Sequence, residues 1–311
     1  MNKYSKKLIT ICAIVVTYNR KYLLTECLDA LLKQSHPLDS IIIVDNASTD
    51  RTYEYLFEKG FLYNKTIDYV FLEFNTGGSG GFNHGIRRAY EKGFDWVWLM
   101  DDDVIADEQA LECLLLSIDI LPKDVGFLCS NVFGIDGQPM NLPQIDMRLG
   151  NNNYPQWNYY LSHGVIKVKE ATFVSVLIPR CVIEIVGLPI KEFFIWGDDA
   201  EYTNRITDAF PGFLIGSSTV CHKRAIQKRI DLNDEDNINR INLFYYKYRN
   251  MFYLYKKYNG LRRAFLYFLK HGIVMTFQVI KYPYFRFLKI NKMYKGILSG
   301  IFFNPKIEYV K

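Results

Sequence analysis

Three short stretches hold the residue types that could do chemistry. In WLMDDDV, Asp101, Asp102 and Asp103 close an apolar run. Adjacent carboxylates repel one another, and on a solvated turn they would do nothing more. At the ligand-facing end of a strand the outcome differs. Side chains alternate along a strand, so Asp101 and Asp103 point to one side and can hold a divalent cation. Oxygen donors suit Mg2+ or Mn2+, ions that commonly bridge to phosphates. The phosphatase pattern DxDx(T/V) fails at its fifth place, Ile105. In FIWGDDAEY, Asp198, Asp199 and Glu201 open a helical pattern. Acids suit any helix N-terminus, but FFIWG sets these beside an aromatic wall that includes Trp196. His222, in VCHK, becomes functional only as a third ligand to a cation at Asp101 and Asp103.

The third stretch is NTGGSGGFNHG, with Gly77, Gly78, Gly80 and Gly81 in five positions. It is not the dinucleotide fingerprint GxGxxG. The third glycine is replaced by Asn83, and the stretch follows the third expected strand, not the first. A slack loop is one reading. The other is that glycine lets backbone N–H groups approach a sugar or phosphate closely where the chain enters a helix.

Residues so far apart in sequence meet only if strand ends gather at one edge. The apolar run from Leu8 to Val16 leads into polar residues and reads as a buried strand, assigned over 9–17. Further strands are expected at 40–45, 67–73 and 96–100. Between them lie a helix over 21–34, one capped by Ser48 or Thr49 and running to Lys59, and one after the glycine run. This alternation predicts a mainly parallel sheet flanked by helices, with ligands at the C-terminal strand edge. Beyond it come a helix over 107–121, strands over 125–131 and 171–179, and a strand-to-helix passage over 192–206. The Gly-, Pro- and Asn-rich segment 134–163 yields no clear element.

Charge divides the 311 residues unevenly. Residues 240–311 carry ten lysines and five arginines against one acid, Glu308, a net +14 that leaves the rest at −9. The same residues hold 20 of the 49 aromatics. Tyr and Phe alternate there with Lys and Arg at helical spacings, which suits an anionic membrane surface better than nucleic acid. Packing on the rest of the chain or in a homo-oligomer is the competing reading. Six cysteines without a CxxC pair read as reduced thiols of a cytoplasmic protein. Apolar runs are too short for a transmembrane helix.

In order along the chain, VVTYNR, VDNASTD, NTGGSGGFNHG, LMDDDV and WGDDAEY resemble the family 2 inverting glycosyltransferases of the GT-A fold. The resemblance covers about residues 9–225, and the GGSGGF and DDD forms are most similar to the bacterial galactofuranosyltransferase branch. It implies a GT-A nucleotide-sugar-binding and catalytic domain over 1–225, and 226–311 as a helical basic and aromatic extension. By position, Thr17, Tyr18, Arg20 and Asp45 would surround the nucleoside. Asn75, Gly77, Gly78, Gly80 and Gly81, with Asp102, would also serve the donor. Asp101, Asp103 and His222 would hold Mn2+ or Mg2+ on the diphosphate. Asp199 would be the general base, and Asp198 and Trp196 would meet the acceptor. Many members carry Glu-Asp where this chain has Asp-Asp. The implied reaction moves a hexose, galactofuranose from UDP-galactofuranose in the first instance, to a glycan or lipid-linked glycan in surface polysaccharide biosynthesis. It would take place on the inner face of the cell membrane. The alternatives are a dTDP-rhamnose-dependent rhamnosyltransferase and a sugar nucleotidyltransferase; TYNRKYL lacks the glycine-rich loop of the latter.

Overall fold

The computed structural model describes residues 9–224, 231–282 and 284–310. Leu8 of the first apolar run and the boundary at 225/226 lie outside them. In chain order the elements are β1 (Ile11–Thr17), α1 (Lys21–Leu32), β2 (Ser40–Asp45), α2 (Thr52–Glu58), β3 (Ile67–Phe71), α3 (Gly77–Glu91), β4 (Trp96–Asp101) and β5 (Val104–Ala106). There follow α4 (Ala110–Ser117), β6 (Phe127–Gly134), β7 (Gln144–Ile145), β8 (Val165–Glu170), β9 (Val176–Pro179), α5 (Arg180–Val186), α6 (Asp198–Thr207) and β10 (Gly212–His222). Three long helices end the chain: α7 (Ile238–Asn259), α8 (Leu261–Lys281) and α9 (Arg286–Phe302).

β1 is apolar at nearly every position because helices cover both of its faces. Ile11, Ala13 and Val15 pack with Leu24, Cys27 and Leu28 of α1. Cys12, Ile14 and Val16 pack with Phe82, Ile86 and Ala89 of α3. β1 pairs in parallel with β2 and β4, and the register sets Thr17 beside Asp45 and Val16 beside Asp101. The expected convergence of strand ends at one edge is therefore present.

Past β4 the sheet is mixed. Its order is β3-β2-β1-β4-β9-β6-β10-β8-β7, with β5 on β10. β9 lies antiparallel between β4 and β6, and β8 antiparallel to β10. The parallel pattern thus belongs chiefly to the first four strands, where helical crossovers intervene. β8 eluded sequence reading because it alternates weakly and follows the segment that gave no element. The strand expected over 171–179 begins at Val176. Ala171, Phe173 and Val174 before it are buried without laddering. The second helix starts at Thr52, and Ser48 instead donates its amide to Asp45 (2.7 Å).

The extension forms a core of its own, in which Phe244, Tyr248 and Phe252 of α7 meet Phe268 of α8 and Met293 of α9. It is not strung on a linker. Phe193, ahead of α6, packs edge-on against Tyr253 of α7. The segment after α9 returns to the helices that cover the sheet. There the Leu188 amide donates to the Glu308 carbonyl (2.8 Å), and the Glu308 carboxylate pairs with Arg87 (2.7 Å) and Lys191 (2.5 Å). All six cysteines are unpaired. No helix among the described residues is long and apolar enough to cross a membrane.

Candidate active site

β4 ends at Asp101, and the chain turns at once into β5. β5 pairs antiparallel with the end of β10, placing His222 opposite Val104, and the Lys223 amide extends the ladder to the Asp103 carbonyl (2.7 Å). That register delivers His222 to the acids. Its Nε2 lies 3.0 Å from Asp103 Oδ1, and its Nδ1 lies 2.8 Å from Asn141 Oδ1. One ligand atom each from Asp101, Asp103 and His222 fall within 4.8 Å of one another. With Nδ1–H donating to Asn141, the Nε2 lone pair faces a carboxylate oxygen, an arrangement that a shared cation resolves. Two carboxylates and an imidazole are a fitting donor set for a hard divalent ion.

Asp102 and Asp103 lie in the turn between β4 and β5 and not on a strand as expected, and within that turn Asp102 points elsewhere. Its buried carboxylate accepts the Thr17 hydroxyl (2.7 Å) and Arg20 Nη1 (3.1 Å), and Arg20 also reaches Asp103 (2.9 Å). Burial pushes Asp102 up to about 6 against the pull of Arg20. Burial and the neighbouring Asp103 and Asp102 hold Asp101 well above the carboxylate range. Burial works against the charge on Asp103 as well, but the His222 bond and the nearby cations outweigh it and its pKa falls.

The second acid pair opens α6. Phe194, Trp196 and Gly197 all have positive φ (64°, 63° and 89°), so the backbone coils left-handed just before Asp198. For two bulky aromatics this is a strained conformation. Asp198 and Asp199 line the same cleft as Asp101, Asp103 and His222, a cavity of about 960 Å³. Burial pushes Asp198 up to about 6. Burial, and then the Asp198 charge, push Asp199 up to about 7. Trp196 lies on the cleft wall and packs on Phe244 of α7. α6 is seated by a chain of rings, Phe82 to Phe173 (4.7 Å) and Phe173 to Tyr202 (6.0 Å).

The glycine run needs correcting. The helix begins at Gly77, so most of the glycines lie inside α3. A Cβ on Gly81 would lie 2.4 Å from Val16 Cγ1, and one on Gly80 would strike Thr76. Gly80 and Gly81 therefore serve close packing and do not face the cleft. Gly77 (φ +73°) makes room for the Phe194 carbonyl, 2.0 Å from where its Cβ would be. Gly78 alone of the four lines the cleft. Asn75 accepts the Gly77 amide (2.8 Å) and so fixes the helix start.

Asp45 also differs from expectation. It is 1% exposed, and its oxygens accept the Ser48 amide and the Tyr69 hydroxyl. Its edge is not open to a nucleoside base in this conformation. Tyr18 is exposed at the strand edge. Three asparagines escaped sequence reading. Asn46 joins β2 to α3 through the Thr76 amide (2.7 Å) and the Gly77 carbonyl (2.8 Å). Asn141 orients His222 from a segment that gave no signal. Asn250 holds the loop before α6 from within the extension. A lone amide among aromatics, at a buried helical position, was the available clue.

A sequence profile described as Glycosyl transferase family 2 matches residues 12–178. This chain belongs to that family. The family 2 assignment and the GT-A fold expected from the ordered motifs are thereby borne out. The chain is 40% identical over 108 residues to galactofuranosyltransferase GlfT1 of Mycolicibacterium smegmatis, covering 34% of each. It is 28% identical over 203 residues to galactofuranosyltransferase GlfT1 of Mycobacterium tuberculosis, covering 63% of this chain and 64% of the relative. The matches span from a third to just under two thirds of these relatives. In fold, the chain is similar to GalNAc-T7 solved with UDP, GalNAc and Mn2+. There the TM-score is 0.58 at 15% identity, over 82% of this chain and 53% of that one.

Proposed function

We propose that this family 2 chain catalyses the metal-dependent, inverting transfer of a sugar from a nucleoside diphosphate to a glycan hydroxyl. The observation that carries the reading is the single cleft lined by both the Asp101–Asp103–His222 set and the Asp198–Asp199 pair. A divalent ion held there would neutralise charge on the leaving diphosphate. The imidazole ligand favours Mn2+ over Mg2+, and GalNAc-T7 was solved with Mn2+.

Asp199 takes the proton from the acceptor hydroxyl. That oxygen bonds to the anomeric carbon from the face opposite the diphosphate, and the broken C–O pair leaves with the diphosphate. A carboxyl near 7 is matched to this proton transfer at physiological pH. Asp198 and Trp196 bind the acceptor. Thr17, Tyr18 and Arg20 flank the nucleoside, with Asp102 holding Arg20 in place and Asp45 forming the floor. Asn75, Gly77 and Gly78 shape the donor side.

The two relatives named as galactofuranosyltransferases support UDP-galactofuranose as donor. dTDP-rhamnose is the second candidate. The acceptor is a lipid-linked glycan, and the protein works as a peripheral protein on the inner face of the cell membrane. The support is α8, whose outward side exposes Phe265, Leu266, Leu269, Ile273, Phe277 and Ile280. A donor screen with Mn2+ tests the reading. UDP-galactofuranose should release UDP faster than UDP-galactopyranose, UDP-glucose or dTDP-rhamnose, and excess EDTA should stop the reaction. Full turnover in EDTA would overturn the metal-dependent mechanism.

A further inference from the structure

The loop that carries the acid pair does not hold itself in place. Phe194 and Trp196 sit in the left-handed region, a strained conformation for a bulky side chain that persists only where its surroundings impose it. Short-range support comes from the Ile195 amide on the Phe193 carbonyl (2.7 Å), the Phe194 amide on the Lys191 carbonyl (3.1 Å) and the Glu201 amide on the Gly197 carbonyl (2.9 Å), none of which reaches the Ile195 or Trp196 carbonyl. The carbonyls of Phe193, Ile195 and Trp196 face α7. There the Asn250 side-chain amide donates to the carbonyls of Phe193 (2.9 Å), Ile195 (3.1 Å) and Trp196 (2.9 Å). Asn250 is fully buried. Its own oxygen is fixed by Arg249, through Nε (3.0 Å) and Nη2 (2.9 Å). Arg249 also donates to the Glu192 and Phe193 carbonyls, and its guanidinium lies 4.0 Å over the Phe303 ring.

We propose that Asn250, ordered by Arg249, is a positioning residue for the acid pair. It imposes the coil at Phe194–Gly197 that starts α6 where Asp198 and Asp199 face the cleft. Without a side-chain amide at this depth, buried carbonyls lose their donors, which is costly, and the loop relaxes to ordinary φ values. The extension is then part of the catalytic unit, because the amide that shapes the loop comes from α7. The same loop leans on α3 through the Ser79 amide, which donates to the Phe194 carbonyl (3.2 Å). That contact orients the loop but leaves the carbonyls of Ile195 and Trp196 to Asn250.

The proposal rests on Asp199 as the base, so the test separates the two. Asn250→Ala, Arg249→Gln and Asp199→Asn are compared with the unaltered chain. Three quantities are measured: UDP affinity with Mn2+, the kcat and KM for UDP release from UDP-galactofuranose, and amide hydrogen exchange over 193–200. For Asn250→Ala, exchange over 193–200 should rise at least tenfold while β1–β4 keep their protection. kcat should fall about tenfold or more with UDP affinity within about twofold, and the acid limb of the pH profile should move. Arg249→Gln should show the same pattern, weaker, and decides the matter if Asn250→Ala does not fold. Unchanged exchange and kcat in a folded variant would overturn the proposal, as would a loss that merely tracks UDP affinity. If Asp199→Asn is harmless while Asn250→Ala loosens the loop, the base assignment falls and the positioning role stands.

Discussion

At the scale of single residues, the two acids that open α6 have different surroundings. Asp198 is the more deeply buried, and Asp199 is held higher, at about 7, by burial, by Asp198 beside it and by Glu170 at the end of β8. The cations that line the cleft are Arg20, Arg224, Arg240 and Lys247. A base must be ionised to accept a proton. Transfer should therefore rise as pH climbs through about 7 and level off above it, read as kcat against pH. Glu170→Gln removes one of the two raising charges and should move that limb to lower pH. Asp199→Asn keeps the shape and loses the acceptor, so transfer should fall by about 10²-fold or more with UDP binding little changed. A crippling Asp198→Asn beside a mild Asp199→Asn would reverse the assignment within the pair. The acids themselves were legible because a carboxylate run at a strand end, or at a helix start beside aromatics, stands out in type and spacing. Asn141 and Asn250 were not, since an amide signals nothing until its partners are known. Asp45 was visible as a strand-end acid, but its engagement by Ser48 and Tyr69 depends on packing.

At the scale of elements, the first four strands and their helices were readable because each is apolar at a clear period and parallel neighbours require crossovers. β7, β8 and the start of β9 were not, because short or half-exposed strands among Gly, Pro and Asn carry little periodicity. The glycine run shows the same limit. Its composition suggested either a slack loop or backbone held close to a ligand at a helix start, yet a helix with glycine toward β1 can lie closer to the sheet than one with alanine. Gly81→Ala tests this. Alanine favours a helix by about 1 kcal/mol over glycine, but overpacking typically costs about 1–3 kcal/mol. With Val16 Cγ1 2.4 Å from the new Cβ, destabilisation should win, by up to about 2 kcal/mol, seen as a lower Tm. Val16→Ala makes room, so the double variant should lose less than the two single losses combined. Additive losses in thermal melts would show that Gly81 does not set the distance between α3 and β1.

At the scale of the whole molecule, the basic aromatic extension has both a packed and an exposed surface. α7 and the returning segment around Glu308 bind the catalytic layer, so deletion of 240–311 should abolish UDP binding as well as transfer. Outward, α8 is apolar where nothing covers it. Leu266, Leu269, Ile273, Phe277 and Ile280 recur three or four residues apart, all exposed, with Phe277 at 67%. Arg262, Arg263, Lys270 and Lys281 lie on the same helix, which contains no acid. A helix of this kind lies in a bilayer interface, its apolar stripe among the acyl chains and its cations on the headgroups. A second copy would bring the same cationic face against itself, which disfavours a symmetric dimer through α8. Tyr267 and Phe268 of that helix line the cleft, so docking through α8 would bring the cleft close to the membrane. The chain should therefore sediment with anionic vesicles at low salt and loosen as salt rises, each Lys or Arg near the surface contributing about 1 kcal/mol. Leu269→Glu with Phe277→Glu should weaken vesicle binding tenfold or more with UDP affinity unchanged. Equal binding to neutral and anionic vesicles, or a dimer that the double substitution dissolves, would reassign α8 to a different partner.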